Sequence, residues 1–118
     1  MSQLRIRTRT TLSGPVLALA GELDHDSAPE IRDLLPSLPL KHGQQLVVDL
    51  GGLTLCDSSG IAVLIAARNI AVAAYSTVVL AAVPDTVSRT LSIVGLDQVF
   101  PAHPTAQAAE AAWTPLTG

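Results

Sequence analysis

Asp57, Ser58, Ser59 and Gly60 stand in a row, directly after Cys56 and directly before the apolar run from Ile61 to Ile65. Asp and Ser are preferred helix N-caps, because a short side-chain oxygen can accept from first-turn N–H groups that have no partner. A helix placed here opens near Ser59, with the cap at Asp57 or Ser58. A helix start also carries partial positive charge. A serine hydroxyl displayed there can serve as a nucleophile, as a phosphate ligand or as an acceptor of a phosphoryl group. Capping alone is the commoner use, since short motifs of this kind recur by chance.

Catalysis by Ser58 needs a general base. The only histidines are His25, His42 and His103, and His25 alone stands in a loop that the element order brings near. A nucleophile elbow needs glycine two residues before and two after the serine; Cys56 and Gly60 stand there instead. A phosphate-cradling loop needs several glycines and a lysine, and Lys41 is the only lysine. Cys56 is the only cysteine, which rules out an internal disulfide and a cysteine-based zinc site. It reads as a small buried apolar residue. Five of the ten acidic residues lie between Glu22 and Asp33, without the spacing of an oxygen-rich cation loop. They read as a solvated acidic surface, or as one that a basic partner patch would meet. No cofactor or metal is implied, and the chain reads as a binding module rather than an enzyme.

The elements that must position these residues follow from periodicity. At 118 residues there is room for one core, so the whole of 1–118 reads as a single domain. Only Tyr75, Phe100 and Trp113 are aromatic, so Val, Leu, Ile and Ala must build that core. Leu4 to Thr10 alternates strictly, with Arg5, Arg7 and Arg9 on one side, as at a sheet edge. A solvated strand face is the commoner use of such a row; an anionic ligand is the functional alternative. Ser13-Gly14-Pro15 turns the chain into a second strand, Val16 to Ala20, which forms a hairpin with the first. Gly21 to Asp26 reads as an acidic loop. Ser27 to Glu30 matches a capping box with proline in the first turn, and Pro36 and Pro39 end that helix early.

Gln45 to Leu50 is apolar on both faces apart from Asp49, as an interior strand is. Gly51-Gly52 reads as the start of a loop. The next helix runs from about Ser59 to Ala74 and carries only Arg68 and Asn69 as polar residues between Ile61 and Ala74. In a small domain such a helix cannot bury every side, so part of its outer face reads as a contact surface. Thr77 to Val83 is a strand, Pro84-Asp85 opens a short helix that Gly95 caps, Leu96 to Phe100 reads as extended, and Thr105 to Trp113 is a last helix. The order implies an α/β domain with a mixed sheet of four to five strands, an N-terminal hairpin and about four helices. The net charge of −3 argues against nucleic acid as a partner. The start of the chain, Met1 to Arg5, lacks the apolar core of a signal peptide, and Ile61 to Val83 reads as helix plus strand, not as a membrane span. With one cysteine, this fits a cytoplasmic protein.

Two segments together carry a resemblance: Gly21-Glu22-Leu23-Asp24, and Leu46-Val47-Val48-Asp49-Leu50 leading to Asp57-Ser58-Ser59-Gly60. With Val87 to Leu91 and Val94-Gly95-Leu96, the chain resembles the STAS domain of bacterial anti-sigma factor antagonists over its whole length. The resemblance implies that the unphosphorylated protein binds an anti-sigma factor that is also a serine kinase. That binding frees a sigma factor for transcription. The kinase phosphorylates the first serine of the motif, Ser58, and releases the antagonist; a PP2C-type phosphatase restores it. Asp24, Asp57, Ser58, Ser59 and Gly60 would meet the partner. The alternative is a STAS scaffold module of another signalling assembly. Tyr75-Ser76-Thr77 replaces the glycine-containing turn common after the long helix, which leaves that helix end open. The apolar helix surface keeps homodimerisation as an alternative use.

Overall fold

The computed structural model describes residues 3–115. Met1 and Ser2, used above to read the start of the chain, and residues 116–118 lie outside the described residues. One five-stranded sheet runs through the molecule in the order β1-β2-β3-β4-β5. Strand β1 (Leu4–Thr11) is an edge and pairs antiparallel with β2 (Gly14–Leu23). The parallel core is β2, β3 (Gln45–Cys56) and β4 (Thr77–Ala81). A two-residue strand β5 (Ala102–His103) closes the far edge, also parallel. The helices are α1 (Ala28–Leu34), α2 (Ser58–Ala73), α3 (Asp85–Ile93) and α4 (Ala106–Ala112). The mixed α/β architecture with an opening hairpin is the one expected.

Alternation along the strands divides the core in two. Leu17, Leu19, Leu46, Val48, Leu50 and Leu80 pack with Ile31 of α1, Ile61, Leu64, Ala67 and Ala71 of α2, and Val87 and Leu91 of α3. The opposite face offers Val16, Val47, Val79 and Ala81, which Ala109 and Ala106 of α4 cover. Three contacts hold α4 there. Buried Gln45 donates from Nε2 to the Ala109 carbonyl at 2.9 Å, Trp113 donates from Nε1 to Gly43, and Arg9 pairs with Glu110.

The structure corrects several boundaries. Strand β2 continues through Gly21–Leu23, so the acidic loop begins only at Asp24. Strand β3 does not break at Gly51-Gly52 but runs on to Cys56. The reason is a tight approach: Gly52 pairs with Ala20, and a Cβ on Gly52 would lie 2.7 Å from the Ala20 Cβ. Ser27 forms no capping box; its side chain makes no cap hydrogen bond, and the residue is already helical. Leu96–Gln98 is a 3-10 turn rather than a strand, and β4 is shorter than expected, ending at Ala81. Gly95, with φ of 79°, follows the C-cap of α3 as predicted.

The end of α2 is resolved by Tyr75. Its N–H donates to the Val72 carbonyl and that of Ser76 donates to Ala71, which is the paired pattern of a Schellman stop. That stop requires a left-handed residue, and Tyr75 supplies it at φ 56°. Its exposed ring rests edge-on against His42, with centroids 5.6 Å apart. A non-glycine residue in this region costs about 1–2 kcal/mol, and glycine's extra freedom in the unfolded chain returns about 0.5–1 kcal/mol of that on replacement. Tyr75→Gly is therefore expected to raise unfolding stability in urea by roughly 0.5–1 kcal/mol, with an unchanged m-value; a loss of stability would show that the ring contact outweighs the backbone.

Candidate functional site

Parallel pairing sets the site. The register joins Leu23 to Cys56, so β2 and β3 end side by side. The chain leaving β2 becomes the Asp24–Ser27 loop, and the chain leaving β3 becomes Asp57 and α2. Asp57 N–H donates back to the Leu23 carbonyl at 3.2 Å, tying the two exits together. All five residues predicted for the site, Asp24, Asp57, Ser58, Ser59 and Gly60, lie at this one end of the sheet.

Asp57 is the N-cap. Its Oδ1 accepts from Ser59 N–H at 2.8 Å and from Gly60 N–H at 3.2 Å. Ser58 is the first residue of α2 and is exposed. Its hydroxyl is hydrogen-bonded to no group among the described residues. Ser59 is half-buried. Gly60 is buried, and a Cβ placed on it would lie 2.6 Å from Cys56 Sγ and 3.0 Å from Leu23 Cγ. Helix α2 can start this close to the sheet only because residue 60 has no side chain.

The Asp24 loop is built on a second carboxylate. Asp24 Oδ1 accepts from the N–H groups of Asp26 and Ser27, both at 3.1 Å. Ser27 is fully buried, accepts from Asp24 N–H through Oγ, and donates to the Glu22 carbonyl at 2.8 Å. Sequence reasoning missed Ser27 as the residue that fixes this loop, because its spacing to Glu30 suggested a cap instead. Its position three residues after Asp24 was the available signal. His25 is exposed and forms no hydrogen bond to Ser58. Cys56 is half-buried, and burial, then the neighbouring Asp57 carboxylate, pushes its thiol up to about 11. It stays protonated and unreactive at neutral pH.

A five-stranded mixed sheet with a capped helix leaving its central strand beside an acidic loop defines the STAS class of regulatory domain. A family model described as "Mlab, STAS domain" matches residues 6–101. The chain is 31% identical over 82 residues to an anti-sigma-B factor antagonist of Listeria monocytogenes, a match covering 70% of this chain and 72% of that one. The fold is shared with an anti-sigma factor antagonist from Mycobacterium paratuberculosis at 23% identity and TM-score 0.78, over 93% of both chains. It is also shared with the antagonist SpoIIAA, at 18% identity in both forms. The unphosphorylated form gives TM-score 0.74 over 96% of this chain and 100% of that one. The phosphorylated form, from Bacillus, gives 0.69 over 91% and 98%. The chain belongs to the STAS-domain family of anti-sigma factor antagonists.

Two outcomes test the local geometry. Asp57→Ala removes the cap and should cost about 1 kcal/mol in urea denaturation, whereas Ser58→Ala should stay within about 0.5 kcal/mol of wild type; similar losses for both would mean that the Ser58 hydroxyl also supports the fold. For Cys56, the folded thiol at about 11 lies above its ordinary value of 9.0. The unfolded chain then releases this proton first, so the contribution is constant below pH 9.0 and declines between 9.0 and about 11. Cys56→Ser should flatten that part of the stability–pH curve; an unchanged slope would place its cause elsewhere.

Proposed function

We propose that this protein is an anti-sigma factor antagonist whose unphosphorylated form binds an anti-sigma factor with serine kinase activity, and that phosphorylation of Ser58 releases it. The observation that carries the reading is the Ser58 hydroxyl, exposed at the first position of α2 and not used by the fold. A kinase can reach it, and a phosphoryl group can be added without breaking a native hydrogen bond. The relative SpoIIAA, which exists in phosphorylated and unphosphorylated forms on this fold, supports the same reading. The antagonist role rests on the Listeria monocytogenes relative.

The docking surface follows from helix geometry. Ser58, Ala62, Ile65, Asn69 and Val72 recur at spacings of three and four, so they share one face of α2. Ile65 and Val72 are exposed on it, at 38% and 53%. Ser58 thus heads a largely apolar strip, flanked by Asp57 and the Asp24 loop. A partner fitted to that strip meets a neutral hydroxyl at its end. Phosphorylation puts about −1.5 to −2 charges there, beside the Asp57 carboxylate, and desolvating that charge works against the complex. A PP2C-type phosphatase removing the phosphate restores the binding form. The role is in binding and not in catalysis. Acting on a sigma factor through a kinase would place this role in the cytoplasm, the compartment expected from the sequence. Among the described residues no helix is long and apolar enough to cross a membrane.

The test uses the protein with its cognate anti-sigma kinase. Ser58→Glu should weaken the complex by about 2–5 kcal/mol in calorimetric titration, and Ser58→Ala should bind like wild type but resist release by ATP. Intact-mass analysis after incubation with kinase and ATP should count a single phosphate, and fragment mapping should locate it on Ser58. Equal binding by both variants would remove the switch and leave the scaffold role.

A further inference from the structure

The row of arginines on β1 takes no part in the site above. The register sets Arg7 opposite Ala18 and Arg5 opposite Ala20. It then sets Ala18 opposite Asp49 and Ala20 opposite Gly52. All lie on the sheet face that α4 covers; Arg5, Arg7, Ala18 and Ala20 lie clear of that helix, while Asp49 and Gly52 share a cleft with its Ala106 and Gln107. Helix α4 shields Val16, Val47, Val79 and Ala81 and leaves the half of this face toward the exits of β2 and β3 open.

The open half has an unusual composition. Outward positions of a sheet facing water normally carry polar side chains that rise into solvent. Here the floor is Ala18, Ala20 and Gly52, with nothing longer than a methyl group. Above it lies a cleft of about 240 Å³ lined by Arg5, Arg7, Ala18, Ala20, Asp49 and Gly52, and by Leu19, which is buried in the larger core cluster. A second cleft of about 440 Å³ shares Asp49 and Gly52 with it and extends past Arg9 to Thr105. Arg9 is paired with Glu110. Arg5 and Arg7 are exposed and have no carboxylate partner among the described residues. Asp49 Oδ1 accepts from the Gly51 N–H at 2.9 Å, and its second oxygen has no protein partner among the described residues.

Edge protection alone explains charges on β1. It does not explain why the neighbouring strand carries only alanine beside them, or why a carboxylate stands across the cleft. Residues two apart leave a strand on the same face about 6.6 Å apart at the backbone, close enough for two long arginine side chains to converge on one phosphate group with charge-assisted bonds. Asp49 cannot add to anion binding. It can accept from a hydroxyl on the same ligand.

We propose that this cleft binds a small, free, hydroxylated phosphate ester, with Arg5 and Arg7 on the phosphate and Asp49 on a hydroxyl. The site lies on the sheet face opposite α2, and it stands whether or not Ser58 is a phosphorylation switch.

The experiment is a titration of the full chain with glycerol 3-phosphate, followed by amide chemical shifts. Saturable shifts centred on Ala18, Ala20 and Gly52 are expected, and glycerol without phosphate should produce none. Arg5→Gln and Arg7→Gln should each weaken binding by about tenfold or more, as should Ala18→Gln, which keeps both charges and fills the floor. Lys41→Gln, a cation elsewhere, should change nothing, and unfolding curves should confirm that every variant is folded. The proposal is overturned by an absence of saturable shifts, by equal weakening from Lys41→Gln, by undiminished binding of Ala18→Gln, or by binding to phosphatidic-acid vesicles with none to the free ester.

Discussion

The contact on which the rest depends is the approach of α2 to the sheet at Gly60. With no side chain there, the helix backbone comes down onto Cys56 and Leu23, the last residues of two paired strands. Successive helical residues are turned by about 100°, so residue 58 points roughly 200° away from residue 60. Seating Gly60 against the core therefore forces Ser58 outward. The exposure of the serine is a consequence of how the helix is anchored, and any larger residue at position 60 would disturb both together.

Around that contact, two carboxylates are used in the same way. Asp57 holds two N–H groups at the start of α2, and Asp24 holds two in the adjoining loop. Each acid leaves its residual charge at the surface while its geometry is fixed by backbone donors. The end of the sheet is thus tied down by backbone hydrogen bonds and carries two carboxylates, and the exposed apolar strip of α2 begins beside it. Rigidity matters for recognition, because a partner then spends little binding energy on ordering the surface it meets.

Much of this was legible in the sequence. Strand-then-helix alternation, an N-cap at Asp57 or Ser58 and the helix stop at Gly95 follow from periodicity and from side-chain chemistry; the choice of Asp57 is made only by its bonds to the Ser59 and Gly60 N–H groups. The extents of β2 and β3 did not, because Gly21 and Gly51-Gly52 have the composition of turns. Their reason is a packing distance between neighbouring strands, which composition does not encode. Ser27 misled for a related cause. A serine three residues before Glu30 and three after Asp24 can satisfy either local pattern, and the carbonyl of Glu22, which accepts from the Ser27 hydroxyl, decides between them. Tyr75 stands where a glycine was missed, and the stop is made regardless, at a cost that neighbouring hydrogen bonds offset. Leu96 to Phe100 is apolar enough for a strand, yet a short turn suffices to bury Phe100.

The same arithmetic explains why a charge added at position 58 can act on an interface and spare the fold. In the free domain the helix start attracts the phosphate by about 0.3–1 kcal/mol, and the repulsion from Asp57 is softened by water on the exposed side. These terms are small and opposed. No native hydrogen bond is lost, since the hydroxyl makes none with the described residues. In a complex the water is gone, and an unpaired charge costs about 2–5 kcal/mol. The difference arises from solvent access alone. A serine tucked into the first turn as the cap would reverse the balance, because modifying it would first break the helix start. Assigning the cap to Asp57 and leaving Ser58 free separates the residue that holds the structure from the residue that can carry the signal.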